Sequence, residues 1–321
     1  MLLHAPAPPR TDVHQHLWPE ALIAALTWRR EPPFIRRSGR QWVLRLLDEP
    51  AHSFDPGEHD PAARARQLTA DGVQRALLAI SGPLGIESLA RDEAEPLLEA
   101  HNAGLLALGE PFAVWGAVSL RPPDPADVDR LLDAGAIGLS LPAGALSGPA
   151  GLDRCGPLLE RLARRGAPLL VHPGPAPWGP SQGAVEPDTP GWWPALTRYV
   201  ADMNTAWHAF AAFGRPQHPE LRVVYAMLAG GAPLHGERLA ARGGPPHTLA
   251  DDRVFYDTSS YGERTIDAVV RCVGIDQLVY GSDRPVVEPL PACPLGSAAA
   301  DAMVAGNVAR LLGDVRAAVA A

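Results

Sequence analysis

The 321-residue chain has no lysine: all 28 of its basic residues are arginine. That excludes a lysine Schiff base, a pyridoxal phosphate anchor, a P-loop lysine and a carbamylated lysine bridging two metals. Cysteine is scarce. Cys155, Cys272 and Cys293 are odd in number and widely spaced, with no C-x-x-C pair, so neither a disulfide framework nor a zinc ribbon is indicated. No run of eighteen apolar residues is present to span a bilayer. Met1 to Pro9 lacks the apolar core of a signal peptide, so the expectation is a soluble cytoplasmic protein. Basic charge is also in deficit: the net charge is −8, which argues against a nucleic-acid surface with its basic patch. The abundance of Ala, Pro, Gly and Arg reads as GC-rich coding bias and carries no functional content.

What the chain does contain is alternation. Eight near-continuously apolar segments end in polar or turn residues, and each is followed by a helical pattern. The strands are read as a first one ending in Asp12-Val13-His14-Gln15-His16, then Gln74–Ile80, Phe112–Leu120, Ala136–Leu141, Pro168–His172, Arg222–Leu228, Val254–Ser259 and Gln277–Tyr280. Strands buried on both faces look like this, and strand–helix alternation implies a parallel sheet. Eight such units in a chain of this length predict one (β/α)8 TIM barrel, with no composition break to mark a second domain. Two long loops interrupt the pattern, at about 19–61 and 175–191. The first follows the His-x-His strand directly, which favours a role as an active-site cover.

In an extended strand alternate residues face one side, so Asp12, His14 and His16 point the same way. Active sites of such barrels lie at the carboxyl ends of the strands. His172 closes the fifth strand and Asp283 follows the eighth. In a closed barrel the eighth strand lies beside the first, which puts Asp283 next to His14 and His16, with His172 across the mouth. Three imidazoles and a carboxylate, with one position open to water, make a catalytic divalent-metal site of the zinc type, with manganese as the alternative.

These segments also resemble a known family. Asp12-Val13-His14-Gln15-His16-Leu17-Trp18-Pro19, Leu170-Val171-His172-Pro173, Gly281-Ser282-Asp283 and Gly306-Asn307-Val308-Ala309-Arg310-Leu311-Leu312 are similar to signatures of the amidohydrolase superfamily. The nearer likeness is to its amidohydrolase-related branch, with aminocarboxymuconate-semialdehyde decarboxylase and the resorcylate-type decarboxylases. Pro219-Glu220-Leu221-Arg222-Val223-Val224 also matches that branch's lead into the sixth strand. The resemblance covers nearly the whole chain in family order. It implies the metal-dependent-hydrolase type of barrel, one divalent metal, usually zinc, and hydrolysis or non-oxidative decarboxylation of a small carboxylated or cyclic substrate. It further implies His14, His16, His172 and Asp283 as ligands, with Asp283 also relaying a proton. Asp12 is expected to orient a ligand histidine directly or through the strand-end backbone. A homodimer is the expected assembly.

The chain departs from the branch in two places. Met227 stands where the branch carries a histidine at the end of the sixth strand, and a thioether neither donates a hydrogen bond nor carries a proton. Without a substitute, chemistry would suffer by about 10²–10⁴-fold. His235 is the candidate substitute acid/base, a surface or helix-capping histidine being the other reading. Arg284 replaces a common aromatic and is a candidate clamp for a substrate carboxylate, with pairing to a loop acid as the alternative. Trp18 is a candidate for lining the substrate pocket, and packing of loops on the rim the alternative for it and for Trp178, Trp192 and Trp193. Hydrolysis by metal-activated water through Asp283 needs the fewest additional groups and is the first expectation. Decarboxylation is the second, and a metal-binding barrel that has lost catalysis is the third.

Overall fold

The computed structural model describes residues 8–178, 188–245, 248–288 and 295–313. Eight parallel strands run in sequence order: β1 (Thr11–Gln15), β5 (Arg75–Leu78), β6 (Phe112–Gly116), β7 (Gly138–Pro142), β8 (Leu169–His172), β9 (Val223–Tyr225), β10 (Val254–Asp257) and β11 (Leu278–Val279). Seven pairings between neighbours are parallel ladders. The eighth is made by the extended segment after β11. Val13 N donates to Tyr280 O at 2.9 Å, Asp283 N to His14 O at 2.9 Å, and His16 N to Arg284 O at 2.7 Å. These bonds close the barrel and set the Gly281-Ser282-Asp283 segment against the His-x-His strand, as the eight-unit reading requires.

Helices cover the barrel: α2 (Pro61–Ala70), α3 (Arg91–Leu106), α4 (Pro125–Asp133), α5 (Pro149–Arg164), α7 (Arg198–Ala209), α8 (Gly236–Ala241), α9 (Glu263–Val273) and the pair α10 (Ser297–Asp301) and α11 (Asn307–Leu312). Their starts are chemically marked. The Asp60 carboxylate accepts from Ala62 N and Ala63 N ahead of α2, and Asp124 accepts from Ala126 N ahead of α4. In both, a proline follows at the first helical position, where its missing N–H costs nothing. Apolar helix faces meet the outer faces of the strands: α4, α5, α7, α9 and α11 share one core cluster, and α2 with the end of α3 packs on β5 and β6 in another. Among the described residues no helix is long and apolar enough to cross a membrane.

The 19–61 stretch is not a loop. It folds as α1 (Glu20–Trp28) and an antiparallel sheet of β2 (Phe34–Ser38), β3 (Gln41–Arg45) and β4 (His52–Phe54). The register pairs Ile35 with Leu44 and Trp42 with Phe54. Trp18, Leu22, Leu26, Ile35, Leu44 and Phe54 then bury against Ile80, Leu84, Leu97 and Leu98, giving the excursion a core of its own. The helical stretch after Trp192 is broken at Thr197 into α6 (Trp193–Leu196) and α7. Of the 175–191 loop, residues 179–187 lie outside the described residues, as does Cys293.

The sixth strand ends earlier than its apolar run suggests. β9 stops at Tyr225, and Met227, Leu228, Ala229, Gly230 and Gly231 all take positive φ, from 48° to 79°, in one left-handed turn. For residues with a Cβ this conformation costs roughly 1–2 kcal/mol each, so packing must hold it. Asn204 Nδ2, on α7, donates to Gly230 O at 2.8 Å. A Cβ on Gly230 would lie 2.7 Å from Val200 O. We therefore expect Gly230→Ala to destabilise by at least about 2 kcal/mol through combined strain and clash, measured by denaturant unfolding. An unchanged midpoint would count against this turn.

Candidate metal centre

His14, His16, His172 and Asp283 converge at the carboxyl end of the barrel, all buried, with one ligand atom from each lying within 4.8 Å of the others. His14 and His16 come from the end of β1, His172 from the end of β8, and Asp283 from the segment that closes the barrel. The three imidazoles are mutually edge-on, with centroids 4.8–5.0 Å apart and interplanar angles of 86–89°. Nε2 of His14 and His16 are 3.2 Å apart, and Asp283 Oδ1 is 3.1 Å from His16 Nε2 and 3.6 Å from His14 Nε2.

The outward nitrogen of each ring is already committed. His16 Nδ1 lies 2.9 Å from Ala79 O, His172 Nδ1 2.8 Å from Pro173 O, and His14 Nδ1 2.7 Å from Asp257 Oδ2. Carbonyls and carboxylates only accept, so each Nδ1 must carry the proton and each Nε2 presents a lone pair inward. Three lone pairs and a carboxylate facing one point require a positive charge there. Ligands about 2.0–2.1 Å from a common ion at right to tetrahedral angles stand roughly 3.0–3.4 Å from one another, which matches the closer of these separations. The residues fit a divalent ion.

The charge states agree with that demand. Burial acts to lower the pKa of His14, but Asp257 beside it, with Asp283 and Asp12, outweighs burial and raises it to about 9. Without an ion the cluster thus holds its positive charge as a proton. Burial and the neighbouring histidines push His172 well below the ordinary value, keeping it neutral. Burial would raise Asp283, but its bond to His16 and the nearby imidazoles win and hold it below the ordinary carboxylate range. Asp283 also has φ 60°, a conformation in which Asp and Asn are the least penalised side chains.

Asp12 does not touch a ligand ring. Its Oδ1 accepts from His14 N at 3.0 Å and Ser282 N at 3.1 Å, and its Oδ2 accepts from Gln15 Nε2 at 2.8 Å. Buried Arg64 continues the network, donating to Gln15 Oε1, His16 O and Glu58 O. Asp12 thus clips the backbone of the first strand to the closing segment, between the two sets of ligands. Gly281 is required there: a Cβ on it would lie 2.9 Å from Asp257 Cγ and 3.0 Å from His14 Cβ.

Other candidates lie away from the cluster. Arg284 is tied to Asp71 at 3.1 Å and Glu288 at 3.0 Å, so its guanidinium is held by two acids rather than offered as a substrate clamp. Trp18 is buried in a mutual cluster with the Phe54 and His59 rings, with centroids 4.9–5.2 Å apart, and donates from Nε1 to Ser81 Oγ; it fastens the excursion to the barrel. His235 is exposed at the start of α8 and is not among the cluster residues, so it gives no substitute for the missing histidine. Sequence reasoning passed over Asp257, the residue in contact with His14. The signal was there: a lone carboxylate ending the apolar run Val254-Phe255-Tyr256, as Asp283 follows the eighth strand.

Fold and ligand set together define a (β/α)8 barrel with a four-donor divalent-metal site at its carboxyl end. No family model matches the sequence, and no curated protein matches it. Solved structures are. IDCase from Metarhizium anisopliae in apo form superposes with a TM-score of 0.75 at 20% identity, over 95% of this chain and 97% of that one. The 5-carboxyvanillate decarboxylase of Sphingomonas paucimobilis gives 0.69 at 16%, over 95% and 99%. That of Novosphingobium aromaticivorans, complexed with manganese and 4-hydroxy-3-methoxy-5-nitrobenzoic acid, gives 0.72 at 14%, over 95% and 96%. The fold is that of the amidohydrolase-type decarboxylases, the type the sequence motifs resemble.

Proposed function

We propose that the protein is a metal-dependent, non-oxidative decarboxylase of a small hydroxylated aromatic or unsaturated carboxylic acid. The observation that carries this is the buried three-histidine, one-aspartate cluster, set in a barrel whose structural neighbours are decarboxylases along nearly their whole length. The same likeness supports decarboxylation ahead of the hydrolysis that the sequence alone favoured. A divalent ion in the cluster would supply a Lewis acid for the substrate carboxylate and an adjacent oxygen. Manganese in a neighbour's complex supports that ion alongside zinc.

Within this reading Asp283 is the proton carrier. Ionised at rest, it takes the proton of a substrate hydroxyl and returns it to the carbon whose bond to CO2 breaks. The bonding electrons stay on that carbon and are captured by the proton, so no oxidant or reductant is needed. Met227 then has no acid–base duty to perform, which removes the main reason for reading the barrel as degenerate.

The test is product analysis. Protein loaded with Mn2+ or Zn2+ is offered a panel of carboxyl-labelled hydroxybenzoates, beside a panel of lactones and cyclic amides. Labelled CO2 from at least one acid, dependent on the ion, is the expected result. Ring opening of a lactone or amide with no CO2 from any acid would restore hydrolysis to first place.

A further inference from the structure

Asp257 is fully buried at the end of β10 and carries four hydrogen bonds on one carboxylate. Oδ2 faces His14 Nδ1 at 2.7 Å. Oδ1 accepts from Ser259 N at 2.9 Å, from Ser259 Oγ, and from Met227 N at 3.0 Å. The Met227 amide is shared with Ser259 Oγ at 3.2 Å. One carboxylate therefore joins a ring of the ligand cluster to the first residue of the left-handed turn at 227–231.

We propose that Asp257 is a positioning residue that sets the tautomer of His14 and couples the ion site to the 227–231 turn. The inference rests on reading the cluster as a metal site. All the partners of Asp257 are donors, and only an acceptor-only group satisfies donors on both of its oxygens. Facing Nδ1–H of His14, it leaves Nε2 as the inward lone pair. An ion bound at Nε2 strengthens Nδ1–H as a donor to Asp257, which steadies the carboxylate that holds the Met227 amide. Where a histidine side chain was expected at the sixth strand, this chain has Met227, whose backbone N–H is held by a residue of the seventh strand. The strained turn and the ion then stabilise each other.

Asp257→Asn tests this with little change of shape. An amide offers one acceptor and one donor, so it cannot satisfy both sides. With its oxygen toward Met227 and Ser259, its NH2 faces His14 and forces the proton onto Nε2, where the ion should sit. With its oxygen toward His14, its NH2 meets the two backbone donors. The readouts are Mn2+ affinity by chelator competition, the imidazole 15N spectrum of His14, and amide exchange across 227–231 with and without Mn2+. We expect a 10–100-fold loss of affinity in Asp257→Asn, an altered His14 tautomer, and slower exchange of the Met227 amide on adding Mn2+ in the wild type only. Ser259→Ala, which leaves Oδ2 untouched, should keep Mn2+ affinity within about threefold. Equal affinity and tautomer in Asp257→Asn would overturn the inference while leaving the metal reading intact. So would wild-type exchange at 227–231 that ignores Mn2+, a measurement that stands even if the variant does not fold. A wild type that binds no Mn2+ would overturn both readings.

Discussion

Asp283→Asn should abolish turnover, by at least about 10³-fold in kcat/KM, while leaving the fold intact. The backbone tolerates it, because φ is 60° at this position and asparagine enters that region as readily as aspartate. The electrostatics do not. Asp283 is the only carboxylate among the four ligands, buried and held ionised beside His14 and His16. An amide removes the negative charge that balances the ion and cannot take up or return a proton. Loss of 10³-fold corresponds to about 4 kcal/mol of transition-state stabilisation, well above the reach of a rim contact. Ser260→Ala serves as the control, since Ser260 Oγ reaches Asp283 Oδ2 at only 3.4 Å and should matter less than tenfold. The measurement is CO2 release alongside circular dichroism and metal content. A folded Asp283→Asn protein within tenfold of wild-type activity would remove Asp283 from the proton-carrying role.

The ligand cluster was legible because a barrel forces the ends of its strands together. Residues from three distant parts of the chain, His14 with His16, His172 and Asp283, share a terminus that the apolar runs already mark. What stayed hidden has a physical cause in each case. Met227-Leu228 reads as strand because apolar residues seldom adopt positive φ, and burial in the core, the packing of Gly230 on α7 and the anchor on Asp257 overrule that preference. The excursion at 19–61 carries arginines within its short strands and prolines around them, so no period emerges, although its core side chains are ordinary. Arg284 sits beside a ligand in sequence, but its partners Asp71 and Glu288 determine where the guanidinium goes, and Asp71 belongs to a distant helix end. Asp257 is hard to read because it lies inside the apolar-led Val254–Ser259 run with no histidine beside it, whereas the strand-end rule applies to carboxylates that hold a ligand as well as to ligands themselves.

Removing the ion should abolish activity, restore it on Mn2+ or Zn2+ addition, and invert the pH dependence of stability. With the ion absent, burial acts to lower His14 but Asp257, with Asp283 and Asp12, outweighs it and raises the group from 6.5 to about 9. A group whose folded pKa lies above its unfolded value contributes stability that is complete below about 6.5 and is lost as pH rises through about 9. The stripped protein should therefore melt at progressively lower temperature between pH 6.5 and 9. Over the same window the ion no longer has to displace the His14 proton, so its affinity and the stabilisation it confers should both grow. An ion at a hundred times its Kd adds about 2.7 kcal/mol. Three further buried histidines stay out of this range: His59 and His101 are lowered by burial to about 4 and about 3, and His172 lies well below 6.5, so these three are neutral throughout. Buried Glu87, raised to about 7, weakens the protein in the same direction, but it does so with or without the ion. The difference between stripped and loaded melting curves therefore isolates the cluster. That difference should widen steadily toward pH 9, and one that is flat or narrows would mean that His14 holds no proton for the ion to displace.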